Sequence, residues 1–387
     1  MDKEISEYFN NLVYLSIRES DAAFADYKQS VSIVGTGKNG NIALNKITGK
    51  RYNHNAEKNF KFLDDFFIEN IKKLHKQDDS LKFAYYNKNR VTFLPQNIQK
   101  LIVNQPSKAI LKFWDDKFKS RKWVSSFLPV LNYVYKKGKN INYEVCQKLF
   151  ESAKRFVVQA RHSLGGAQTF LLTKKNEKAV LPLLEDAKDY AISEYKENNI
   201  AINAHFVVAK NSICVLPQSV QIIETQNDML EYIGCDYAIY HKVLSEKMQK
   251  RVVSLTKLLA EKMREQGYLG VAGVDYIVCD GEVYFMEVNP RFQSSTNVLN
   301  LALKEEGYPT VNELDAMAFV QNTLPKIPNI SVPYSKICLG QGEKNKLQDK
   351  PYMILNDGYN KDEQLDKGAY LKTLIYSGSI YKKLVKD

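Results

Sequence analysis

Two apolar runs separated by an Asp-Gly dipeptide constrain this chain more than any other feature. Gly273-Val-Asp-Tyr-Ile-Val278 and Val283-Tyr-Phe-Met-Glu-Val288 are rich in β-branched and aromatic residues, with Cys279-Asp-Gly281 between them. Asp-Gly supplies the conformations that a tight hairpin turn needs. The spacing predicts two adjacent antiparallel strands, stopped by Asn289-Pro290 because proline cannot continue a ladder. Side chains at i and i+2 share a strand face. Glu287, Asn289 and Arg291 therefore point one way, and Asp275 reaches that face from the neighbouring strand. Two acids and an amide oxygen form a hard-oxygen set suited to Mg²⁺. The arginine beside them can clamp a phosphoryl group. Acids at the end of an apolar strand are costly unless paired or metal-bound. A solvated hairpin face is the plainer alternative.

A chain of 387 residues holds two to three packed units. Residues 1–114 read as an α/β unit. A strand at Val31–Val34 runs into Gly35-Thr-Gly-Lys-Asn-Gly40. A helix over Asn59–His75 follows, with Phe60, Leu63, Phe66, Phe67, Ile71 and Leu74 at helical spacing. The three glycines fit G-x-G-x-x-G, but no convincing helix follows at Asn41–Tyr52. A structural turn is preferred to a phosphate cradle. Residues 115 to about 190 read as a small α+β unit. Its strands at Phe156–Val158 and Thr169–Thr173 flank the loop Arg161–Gln168, where Gly165 and Gly166 permit loop conformations. From 191 to about 325 come strands at Ala201–Val208 and Ser212–Leu216, then an amphipathic helix Glu246–Gln266 stopped by Gly267. Pro325, Pro328 and Pro333 suggest a linker into a small β-rich C-terminal appendage.

Composition narrows the functional classes. With 44% hydrophobic and 26% charged residues the chain reads as a soluble globular protein. No apolar run reaches membrane-span length, and Met-Asp-Lys-Glu is unlike a secretory leader, so a cytoplasmic location is expected. Five scattered cysteines read as reduced thiols, and five scattered histidines form no zinc pattern. A net charge of +11 draws anions such as a nucleotide, a carboxylate substrate or an acidic protein. The lysines are dispersed rather than blocked, so nucleic acid is not an expected partner.

Gly270-Val-Ala-Gly-Val-Asp275 followed by Tyr284-Phe-Met-Glu-Val-Asn-Pro-Arg291 resembles the two-part signature of the ATP-grasp superfamily. The resemblance implies a mixed α/β (α+β) ATP-grasp fold. An N-terminal pre-ATP-grasp domain would span 1–114 and an ATP-grasp domain 115–325. Within the latter, a lid would occupy about 115–190 and a metal-binding part about 191–325. A C-terminal extension would cover 326–387. ATP and two Mg²⁺ ions (Mn²⁺ as the alternative) are the implied cofactors. Asp275, Glu287 and Asn289 are the implied metal ligands, with Arg291 and Gln293 as implied catalytic residues. Asp116-Lys117 resembles the dipeptide that opens the lid, where Lys117 would contact an ATP phosphate. Phe156–Leu171 resembles the lid hairpin, with Gly165 and Gly166 in its loop. Where the family commonly carries Val-Lys-Pro, this chain reads Val158-Gln159-Ala160. Gln159 brings no charge, and Arg161, on the same face, is expected to supply the cation. Glu194-Tyr-Lys-Glu197 resembles the adenine- and ribose-holding hinge, which puts Glu194 and Asn203 forward as nucleotide contacts.

The resemblance implies phosphoryl transfer to a carboxylate, attack by a nucleophile, and release of ADP and phosphate. In biotin-dependent carboxylases a similar Asn-x-Arg-x-Gln run is followed by Val-Glu-His, whose Glu is the base for bicarbonate. Here Ser294, Ser295 and Thr296 follow Gln293. That disfavours a carboxylase, and small hydroxyls beside Arg291 suit a carboxylate pocket. Leu216–Gln221 and Tyr232–Tyr237 resemble segments of stand-alone amide ligases of natural-product pathways. The expectation is a ligase joining small-molecule carboxylate and amine substrates in an amide or peptide bond. Loading of an amino acid onto an acidic carrier protein, and ATP binding without turnover, are the alternatives. A homodimer is left open.

Overall fold

The computed structural model describes residues 3–25, 27, 29–49, 60–162, 168–226, 228–328, 330–340, 347, 350–356 and 370–381. Gly165 and Gly166 lie outside the described residues.

The N-terminal unit is a parallel sheet of four strands, β1 (Leu12–Arg18), β2 (Gln29–Val34), β3 (Asn41–Ala43) and β4 (Lys82–Tyr85), in the order β3-β2-β1-β4. The helix Phe60–Gln77 buries Leu63, Phe66, Phe67, Ile71 and Leu74 against it. The Gly35–Gly40 loop spends its amides internally. Gly35, Thr36 and Gly37 donate to Asn45, Glu19 and Asn41. Those N–H groups are turned to the fold rather than to an anion, which is the behaviour of a structural turn.

The remaining strands form one large sheet. They are β5 (Val134–Lys137), β6 (Arg155–Ala160), β7 (Thr169–Thr173), β8 (Asp189–Glu194), β9 (Ile200–Val208), β10 (Ile213–Gln226), β11 (Met229–Asp236), β12 (Gly270–Cys279), β13 (Glu282–Asn289), β14 (Tyr334–Gly340), β15 (Tyr352–Asn356) and β16 (Tyr370–Ser377). The main path runs β13-β12-β9-β10-β11-β7-β6-β8-β5. Among the described residues a single pairing, Met229 with Phe170, joins β11 to the smaller lobe β7-β6-β8-β5. The helix Glu246–Glu265 covers the larger lobe with Val252, Leu255, Leu259 and Met263. It ends at Gly267, whose φ of 82° lets the Tyr268 amide return to the Met263 carbonyl.

β10 runs ten residues past the expected end at Leu216, to Gln226. Its pairing with β9 shifts register between Val215 and Gln218, a bulge that accommodates Pro217. The C-terminal strands extend the same sheet, because β14 pairs with β11 and β16 with β14. The buried Asp236 carboxylate accepts from the Ser379 hydroxyl and from the Ile380 and Tyr381 amides. Among the described residues no helix is long and apolar enough to cross a membrane. All five cysteines are free and buried.

Candidate active site

The β12–β13 hairpin turns at Asp280-Gly281 with φ of 51° and 74°, the pair of positive values that a type I′ turn requires. In this register Asp275 stands directly opposite Glu287, and Gly273 opposite Asn289. On the other side of β12, Asn203 of β9 stands opposite Asp275. One Asp275 oxygen accepts from Asn203 (2.7 Å) and Gln221 (3.1 Å), the other from Asn289 (3.0 Å). All three donors are neutral amides. Burial, then the like charge of Glu287, pushes the Asp275 carboxyl up to about 7.

Glu287 is met by Lys117 (3.4 Å) and by the Gln159 amide (3.1 Å). Lys117 stands in the first turn of the helix Lys117–Val124, which Asp116 caps by accepting from the Phe118 and Lys119 amides. Arg291 donates to the Asn289 side-chain oxygen (3.2 Å) and the Phe292 carbonyl (2.9 Å). The Gln293 side-chain oxygen accepts from Asn203 at 3.0 Å. Its amide lies flat against Gly273, where a Cβ would come within 1.6 Å of that oxygen. Only glycine leaves room for it.

Lys117, Gln159, Asn203, Asp275, Glu287, Asn289, Arg291 and Gln293 thus form one connected cluster. Asn203, placed by its sequence near the adenine hinge, belongs instead beside the acids. Glu194 stands apart at the end of β8, paired with Lys196, which also reaches Asp280 at 3.7 Å. Arg161 does not stand over the acids. Its guanidinium grips both oxygens of Asp116, at 3.0 and 2.7 Å. Burial alone would raise Asp116, but this fork and the Lys119 amide hold its carboxyl below the ordinary range. The hydroxyls after Gln293 also differ from expectation. Ser295 donates to Asn203, while Thr296 accepts from the Gln293 amide and meets the buried His205. Ser294 accepts from the buried Lys336 of β14. These contacts brace the loop, with Ser295 and Thr296 buried and Ser294 partly exposed. Among the described residues His205 has no carboxylate partner, and its burial, then Arg291, lowers its pKa to about 3.

Sequence reasoning missed Gln221, whose strand was expected to end earlier, and Arg121. The latter shares the inward helix face of Lys117 at i+4, a periodicity visible in the sequence. Among the described residues no group of three or more His, Cys, Asp or Glu gathers. Two opposed carboxylates and one amide oxygen fit a Mg²⁺ ion that draws its other ligands from water and phosphate. Like charges placed directly opposite on a sheet repel, and a divalent cation would relieve that repulsion.

The ATP-grasp domain family matches residues 115–295. No curated protein matches the chain by sequence. Solved structures match its fold over nearly its whole length. An ADP complex of N5-carboxyaminoimidazole ribonucleotide synthetase is 14% identical, with a TM-score of 0.65, over 97% of this chain and 94% of that one. Campylobacter jejuni biotin carboxylase with a β,γ-ATP ligand is 13% identical, with a TM-score of 0.68, over 98% and 90%. The biotin carboxylase domain dimer of Hydrogenobacter thermophilus 2-oxoglutarate carboxylase, with MgADP, ADP and bicarbonate, is 13% identical, with a TM-score of 0.66, over 95% and 86%.

Proposed function

We propose that this chain, which carries an ATP-grasp domain over residues 115–295, is an ADP-forming carboxylate–amine ligase of the ATP-grasp superfamily. The observation that carries this reading is the opposed pair Asp275 and Glu287, flanked by Lys117 and Arg291. ATP bound with Mg²⁺ supplies the phosphoryl group that activates a substrate carboxylate as an acyl phosphate. Asp275, Glu287 and Asn289 would hold the metal. Lys117 and Arg291 place positive charge where a transferring phosphoryl group gathers negative charge, the main catalytic demand of such a step. The smaller lobe, joined to the larger among the described residues through a single strand pairing, would carry Gln159 over the nucleotide and keep water from the activated acyl group. In this reading residues 1–114 and the C-terminal strands complete the substrate side.

Two of the solved structures are named as biotin carboxylases or a domain of one. This chain lacks a carboxylate after Gln293, and its Ser295 and Thr296 are committed to Asn203, Gln293 and His205. That supports an organic carboxylic acid rather than bicarbonate as the group phosphorylated, with an amine then completing an amide or peptide bond, in our reading within specialised biosynthesis. Incubation with ATP, Mg²⁺ and pooled carboxylic acids and amines is expected to yield ADP and phosphate only when both a carboxylate and an amine are present, a condition that an amino-acid pool meets by itself. AMP and pyrophosphate as products would refute the acyl-phosphate route.

A further inference from the structure

The helix Lys117–Val124 turns one face inward, and Lys117, Ser120, Arg121 and Val124 are its buried residues. Arg121 is 1% exposed. Its Nη2 donates to the Gln159 side-chain oxygen at 2.8 Å and to the Met286 carbonyl at 3.0 Å; its Nε reaches the same carbonyl at 3.3 Å. The β12–β13 ladder passes from Glu287 to Phe285 and skips Met286, so that bulge leaves the carbonyl open to the arginine. The guanidinium lies 3.7 Å from the centre of the Tyr133 ring. Its remaining nitrogen, Nη1, is buried and has no hydrogen-bond partner among the described residues. Among the described residues no carboxylate comes within ion-pair distance of Arg121. A buried cation with neutral partners and one idle donor is costly as it stands.

We infer that Arg121 is the cation that binds a nucleotide phosphate in place of the lid lysine that position 159 lacks, an inference that rests on the ATP site proposed above. Gln159 links the arginine to the acids, since its oxygen accepts from Arg121 while its amide nitrogen donates to Glu287. A lysine at 159 would crowd a second buried ammonium against the guanidinium. Glutamine at 159 and arginine at 121 are therefore a matched pair, with the charge moved from the lid strand to the helix beside it. Arg161, closed on Asp116, does not fill this role.

The test is calorimetric titration of the full chain with MgADP, which needs no turnover. Arg121→Met should weaken binding roughly 10- to 100-fold, the scale of a lost charge-assisted hydrogen bond. Arg121→Lys should lose less. Arg121→Gln, uncharged but able to reach Gln159, covers the case in which the methionine variant does not fold, and should weaken binding as methionine does. Arg121→Met combined with Gln159→Lys should recover at least about tenfold of the loss, because the cation returns from the neighbouring strand. A purely structural arginine would lower the melting temperature without that rescue. Binding within twofold of wild type in Arg121→Gln, or a double variant no tighter than Arg121→Met, overturns the inference. A wild-type chain that does not bind MgADP removes the nucleotide site itself, and the inference with it. Normal wild-type binding with unaffected variants refutes only the role of Arg121.

Discussion

Glu287→Gln is expected to lower ligase turnover by about 10³-fold, the scale seen when one designed electrostatic partner is removed from an active site, with the fold left intact. Glutamine keeps the shape of the side chain and can still meet Gln159, but it cannot supply a carboxylate to a metal. It also removes the counter-charge of Lys117, which lies 3.4 Å from Glu287. The same substitution relieves Asp275. Burial, then the charge of Glu287, pushes that carboxyl up to about 7. Losing the like-charged neighbour lets Asp275 ionise more readily. Relief of Asp275 offsets the lost counter-charge of Lys117, so the protein without nucleotide should melt close to wild type, and its gain in melting temperature on adding MgADP should shrink. A structural glutamate would behave the opposite way, losing stability first. A fully active variant would refute the metal assignment.

Asp315→Ala should cost about 3–5 kcal/mol, the range for breaking a buried ion pair from one side, and so a large part of the stability of an ordinary domain. Asp315 is 2% exposed in the helix Val311–Val320. One carboxylate oxygen accepts from Lys88 (2.6 Å) and from the Val271 amide (2.7 Å), the other from Asn104 (3.1 Å). Lys88 is fully buried and lies over the Phe292 and Phe319 rings, at 5.5 and 5.2 Å. Alanine would leave an unpaired ammonium and an orphaned amide in the interior. The approach is so close that a Cβ on Gly270, whose φ is 89°, would meet Lys88 Nζ at 2.4 Å and Asp315 Oδ1 at 2.5 Å. This network ties the N-terminal unit to the start of β12, the strand that carries Asp275. It also packs against Phe292, next to Arg291. Chemical denaturation of Asp315→Ala and of the pair Lys88→Met with Asp315→Leu would measure it. The apolar pair should recover the part of the loss due to the stranded ammonium, while the Val271 amide stays unpaired in both variants. Equal stability of wild type and Asp315→Ala would contradict the account.

The acids were legible in the sequence because a hairpin has a short period and a local turn signal. Asp275, Glu287, Asn289 and Arg291 needed only the i+2 rule and the Asp-Gly turn. Lys117 and Gln159 needed the resemblance to place them. Asn203 and Gln221 lie 72 and 54 residues from Asp275, and they reach it through the order β12-β9-β10. Strand order between distant segments leaves no mark in a local pattern. Arg121 was hidden for the same reason, since its partners are 38 and 165 residues away. Its i+4 relation to Lys117 was visible, but Lys119 and Lys122 lie between and beside them, and nothing local marks which of these cations turns inward. Ser295 and Thr296 were misread because a hydroxyl beside an arginine looks the same in sequence whether it faces a ligand or braces a loop. The prolines at 325, 328 and 333 suggested a linker into a small β-rich appendage, and strands do follow. Sheet pairing between β11 and β14 joins them to the large sheet.

On the proposed function, this chain activates a carboxylate by phosphorylation. The most direct test is to supply ¹⁸O-labelled carboxylic acids with an amine pool, ATP and Mg²⁺, then weigh the phosphate released. Attack of the carboxylate on the phosphoryl group and displacement by the amine leaves one ¹⁸O in each phosphate. That label is the predicted result. Label in AMP, or turnover with unlabelled phosphate, would contradict it.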